Sequence, residues 1–223
     1  MRNATWPTIV PLLAILGGCL ALVLTLPFAV AFYLAYPGFN ELPIWVPAVR
    51  PVVTPFLDFA EPTQVYATYG RVFDLVYLLW LPATVAVHRL AGAEPNGVER
   101  VGFWLTVGGL VASFIGVAGD YWADGIGYPL ELLGLLALAV GCTAFGVGLR
   151  RAAALPAWAA WLFVMCAPAL VPSLILIGHI PSGPTLLVAV AYIGLGAVLL
   201  GRSRKERVRA RPLNGDGVPN EFS

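Results

Sequence analysis

The chain predicts an all-α fold: a polytopic membrane bundle of six transmembrane helices, with a proline-rich apolar loop between the first and the second. Three observations carry that expectation. Of 223 residues, 59% are hydrophobic and 11% charged, with a mean hydropathy of +0.83, whereas a soluble domain carries about 25% charged residues. The apolar residues gather in six charge-poor runs close to the roughly 20 residues of a span. Those runs are continuously apolar, which favours helices over the short alternating strands of a barrel. The same figures exclude a disordered chain and a secreted disulfide scaffold, and a net charge of +1 gives no pull on nucleic acid.

The spans read as residues 8–36, 71–90, 101–119, 129–149, 157–178 and 185–201. The first has a basic residue ahead of it, Arg2, and a small-residue stretch, Ala29-Val30-Ala31, as a signal peptide has. Its apolar core outruns the roughly 15 residues of such a signal, so a retained helix is expected, bending near Pro27. The loop 37–70 carries Pro37, Pro43, Pro47, Pro51, Pro55 and Pro62, which argues against regular helix before Pro62. It is also apolar, with Ile44, Trp45, Val46, Val49, Val52, Val53, Phe56, Leu57 and Phe59, so it should lie in the interface or cap the bundle. Thr63 is the expected cap of the helix that leads into the second span.

Charge sets the orientation. With six spans, one side receives Arg2, Arg89, Arg100, Arg150, Arg151 and the basic tail, and the other only Arg50 and Arg71. The positive-inside rule then puts both termini in the cytoplasm of a multi-pass cell-membrane protein. Residues 1–201 form the transmembrane domain and 202–223 a separate tail, basic at first and then polar and disordered. Arg202, Arg204, Lys205, Arg207, Arg209 and Arg211 should rest on anionic headgroups of the bilayer.

Packing is the best specified feature. Gly102, Gly109 and Gly116 recur every seven residues in the third span, and Gly134, Gly141 and Gly148 in the fourth, where Ala137 and Ala144 complete a small-residue seam. Seams of this kind let membrane helices approach closely, and a short turn makes the two spans antiparallel neighbours.

Chemistry is sparse. A candidate external polar site consists of Arg71, Asp74, Asp120, Asp124, Glu131 and His179. Arg71 and Asp74, three apart, are expected to pair. Gly116-x3-Asp120-x3-Asp124 resembles the second half of the motif of CDP-alcohol phosphatidyltransferases, but the upstream Asp-Gly and Ala-Arg elements are missing and Val107 stands in the arginine's place. His179-x2-Ser182-Gly183 resembles the serine and histidine of rhomboid proteases, although Pro181 precedes Ser182 and the order of the two residues is reversed. His88 and His179 fall at opposite membrane ends and cannot share a haem. Cys19, Cys142 and Cys166 behave as small apolar residues. The expectation is a protein with no cofactor, no metal and no catalytic residue: an interaction, regulatory or accessory protein whose partners are the bilayer and another membrane protein. A transporter or channel with an acidic external entry, or an enzyme at the external acids, are the alternatives.

Overall fold

The computed structural model describes residues 9–38, 43–91, 96–123 and 125–210, the side chains of 205–210 excepted. Every regular element among them is helical: α1 (Ile9–Ala35), α2 (Val46–Val53), α3 (Pro62–Leu90), α4 (Gly97–Trp122), α5 (Tyr128–Arg151), α6 (Ala157–Val164), α7 (Cys166–Ile177) and α8 (Ser182–Ala210), with a 3-10 turn at Thr54–Phe56. Five of these, α1, α3, α4, α5 and α8, are long and apolar enough to cross a membrane. The pair α6 and α7 makes a sixth candidate span. Consecutive candidate spans pack as neighbours and α8 returns against α1, which closes the bundle into a ring.

The sixth candidate is broken where an unbroken run over 157–178 is expected. α6 and α7 meet at a 57° bend. Pro168 has no N–H, so the Val164 carbonyl loses its helical partner. Thr143 of α5 fills the gap: its hydroxyl donates to Val164 O at 3.1 Å and accepts from Ala167 N at 2.9 Å. Backbone groups freed inside a bilayer are tolerated only when protein satisfies them, and one threonine does so here. Pro82 lies within α3, which continues through it.

The loop 37–70 contains regular helix after all. Pro47 sits in the first turn of α2, where an N–H has no helical partner anyway, and Pro51 costs the short helix a single bond. Burial compensates: Val46, Val53 and Leu57 form a small core with Val30, Ala31, Tyr33 and Val65. Trp45 Nε1 donates to Leu176 O at 2.7 Å, and the Tyr69 hydroxyl to Phe56 O at 2.9 Å. The segment is a cap strapped over α1, α3 and α7. α3 begins well before residue 71, as a helix leading into the second span requires, but Glu61 rather than Thr63 is at its N-cap, with Pro62 in its first turn.

Nor does α8 end at Gly201. It runs on to Ala210, because Arg, Lys and Glu are good helix formers. Arg202 donates to Ala154 O at 2.7 Å and anchors this extension just beyond α5. The polar end of the tail, 212–223, lies outside the described residues.

Contact is closest between α4 and α5. A methyl carbon built on Gly102 would lie 2.6 Å from the Ala144 carbonyl carbon, and one on Gly109 would lie 2.6 Å from Leu138 Cα. From the other side, Gly134 faces Ser113, Gly141 faces Thr106 and Gly148 faces Glu99, all at backbone distance. Here the two backbones touch, with no side chain between them.

Candidate functional site

The helix ends gather polar groups into two clusters, one under the cap and one at the opposite, basic end. Under the cap, His179 follows the left-handed Gly178 that terminates α7. The imidazole is buried, with Nδ1 2.9 Å from Ser182 Oγ and Nε2 3.2 Å from the Tyr66 hydroxyl. Tyr66 in turn shares a 2.8 Å hydrogen bond with the Tyr121 hydroxyl. A chain Ser182–His179–Tyr66–Tyr121 thus links α8, α3 and α4. Phe28 of α1 closes it edge-on, 4.5 Å from the imidazole centroid, and Phe32 lies 5.1 Å away. Burial pushes the His179 pKa down to about 3, so the ring is neutral and offers one donor and one acceptor.

The serine and histidine that resemble a protease pair are therefore in hydrogen-bond contact. Ser182 is fully buried, however, and its partner's second nitrogen is held by Tyr66. This burial does not give the access to substrate that a nucleophile needs, and the hydrogen bonds clasp α8, α3 and α4 together. Tyr66 and Tyr121 were not among the residues singled out from the sequence. Gly70 is the detail that admits Tyr121, since a Cβ there would collide with the Tyr121 ring.

Next to the clasp lie the acids. Glu131, in the first turn of α5, is 1% exposed, and neither of its carboxyl oxygens has a hydrogen-bond partner among the described residues. Asp74 on α3 is 5% exposed, and its Oδ1 has no hydrogen-bond partner among the described residues. Asp74 and Asp120 both lie close enough to act electrostatically on Glu131. The hydroxyl of Tyr77, buried and unpartnered, feels both Asp74 and Glu131. An ionised carboxylate left so in a low-dielectric interior is costly, so the group requires a proton, a cation or water. Asp124 lies outside the described residues. Among those described, no three His, Cys, Asp or Glu side chains are arranged to hold a metal ion.

Arg71 does not pair with Asp74. Its Nε donates to Tyr121 O at 2.9 Å and its guanidinium lies 4.7 Å above the Trp122 ring. The last carbonyls of a helix are unsatisfied and carry partial negative charge, and Arg71 caps those of α4 instead. Asp74, turned inward from the same helix, has no ion-pair partner among the described residues.

The basic end has a pair that no motif in the sequence announces. Glu99 is fully buried, and its Oε1 lies 2.7 Å from His88 Nδ1, with the imidazole stacked at 3.8 Å on Phe103. Asn96 accepts from Glu99 N and donates to Gly148 O, which fastens the start of α4 to the end of α5. The α3–α4 turn is short, and that was the signal available for the pair. Arg150 lies 4.4 Å over the Trp161 ring.

Two open clefts flank the bundle. One, of about 610 Å³, runs between α4 and α5 at the basic end and is lined by Asn96, Gly97, Val98, Val101, Ala144 and Arg151. The other, of about 430 Å³, lies between the end of α1 and the cap helix α2. No protein-family model matches the chain, and no curated protein or solved structure matches it.

Proposed function

We propose that the chain is a multi-pass protein of the cell membrane, with both termini cytoplasmic, that works as a non-catalytic accessory or interaction protein through its lipid-facing helices. The observation that carries this reading is the cleft between α4 and α5. It is floored by small residues, Gly97 and Ala144, beside the exposed Trp104 and Val101. Small residues on a lipid-facing groove allow a further helix to approach closely. The groups with chemical potential support the same reading by their use elsewhere: His179 and Ser182 clasp the bundle, and Thr143 repairs a broken helix. Orientation rests on the basic end, where Arg89, Arg100, Arg150, Arg151, Arg202 and Arg204 mark the cytoplasmic side. Retention of α1 is supported by the burial of Phe28, Ala29, Val30 and Ala31 within the bundle.

Intact-complex mass after gentle extraction from the native membrane tests this. A reproducible added mass of protein size is expected, and it should disappear in Val101→Trp, at an exposed position of the cleft, while the melting curve of the isolated chain is kept. A bare chain in both cases would count against an accessory role.

Transport is the second reading, and it rests on Asp74 Oδ1, the Tyr77 hydroxyl and the Glu131 carboxyl, buried without hydrogen-bond partners among the described residues. It predicts cation- or proton-dependent flux in liposomes that falls at least tenfold in both Asp74→Asn and Glu131→Gln. If the acids serve packing alone, those two variants leave flux at the background of empty vesicles and melt no lower than the parent, since neutralising an unpaired buried carboxylate removes a cost.

A further inference from the structure

The cleft beneath α2 combines three properties. It is apolar inside, walled by Val30, Leu34, Val46 and Pro47. At its mouth stand Arg50, whose guanidinium has no ion-pair partner among the described residues, and Tyr36, which is half exposed. Around it, the cap projects exposed apolar side chains: Ile44 at 96%, Val52 at 71% and Phe56 at 62%. Residues this exposed and this apolar sit at the boundary between headgroups and acyl chains. That boundary is where a phosphate and a hydrocarbon chain are presented together.

We propose that this cleft binds one anionic membrane phospholipid, its phosphate on Arg50 and the Tyr36 hydroxyl, and the upper part of one acyl chain in the apolar trough. Charge complementarity decides the occupant. A guanidinium matches a phosphate with two parallel N–H donors. Arg71, the other arginine at this end, is already committed to the Tyr121 carbonyl and Trp122. The volume of about 430 Å³ lies in the range of small-ligand sites and holds a headgroup with the start of one chain, leaving the rest in the bilayer. Binding there would tie α2 to α1 from the membrane side, in addition to the Trp45 and Tyr69 hydrogen bonds.

The full chain, purified in a mild detergent, is titrated with phosphatidylglycerol or phosphatidylcholine and read by intact-mass spectrometry. One phosphatidylglycerol should be retained per chain in preference to phosphatidylcholine. Arg50→Gln should weaken that binding at least tenfold, and Leu34→Trp, which fills the trough and leaves the arginine, should weaken it as far. Arg100→Gln, at an exposed position of the basic end, serves as the matched loss of charge and should leave binding unchanged. Equal retention of the two lipids, or an Arg50→Gln effect no larger than that of Arg100→Gln, would overturn the proposal. Should Arg50→Gln lower the melting temperature by itself, Leu34→Trp decides: retained binding there refutes the site.

Discussion

Leucine at position 109 should unfold the bundle, and leucine at position 108 should not. The two glycines are adjacent on α4 and chemically identical, so composition and hydropathy change equally in the two variants. Their surroundings differ entirely. A Cβ on Gly108 meets nothing within 4 Å, whereas one on Gly109 would strike the Leu138 backbone on α5. Backbone atoms cannot swing aside as a side chain can, so α4 and α5 would have to separate along their whole contact. Overpacking of a rigid interior costs about 1–3 kcal/mol and at times more. Gly109→Leu belongs at or above the upper end of that range, because a leucine adds further atoms past the colliding Cβ. Gly108→Leu should stay within about 1 kcal/mol of the parent, on the stabilising side through better helix propensity. Unfolding by titrated SDS, followed by circular dichroism, compares them directly. Equal loss in both would mean that α4 and α5 do not meet through this face.

That contrast shows what kind of information the sequence carried. Seven-residue spacing of Gly102, Gly109 and Gly116 against Gly134, Gly141 and Gly148 is a periodic, local signal, and the helix that bears it has a predictable neighbour. The long apolar runs were legible for the same reason, since a span is defined by its own residues. What was not legible depends on partners distant in the chain. Tyr66 and Tyr121 are ordinary aromatic residues until α3 and α4 bring their hydroxyls to 2.8 Å, with His179 arriving from beyond α7. Arg71 and Asp74 looked like a pair by spacing alone, but a free helix terminus at Tyr121 competes for the guanidinium, and spacing does not reveal a competitor. The cap helix was hidden by its prolines: the penalty for Pro51 is local and visible, whereas the burial of Val46, Val53 and Leu57 that offsets it is tertiary. The break between α6 and α7 was half visible, in Pro168, and its repair by Thr143 came from another helix.

Acidification should loosen the cap end through His179, and the ranking of two variants should invert with pH. Unfolded, the imidazole takes a proton near pH 6.5; folded, burial against Phe28, Phe32 and Tyr66 holds it neutral until about pH 3. Between those values the unfolded chain binds one more proton than the folded one, so stability falls as pH falls. The loss approaches about 1.4 kcal/mol per pH unit, or roughly 2 kcal/mol by pH 5. His179→Gln has no such group. Near pH 7.5 it should be the weaker protein by about 1–2 kcal/mol, since an amide cannot reach both Tyr66 and Ser182 and leaves one hydroxyl without its buried partner. By pH 5 that deficit should be cancelled or reversed. Other acids at this end, Asp74, Asp120 and Glu131, titrate in both proteins, so the difference between the two stability curves isolates the histidine. Curves that stay parallel from pH 7.5 to 5 would show that the imidazole is open to protons in the folded state. That result would also undo the assignment of Ser182–His179–Tyr66–Tyr121 as a sealed clasp, and would return His179 to the set of groups a ligand can reach.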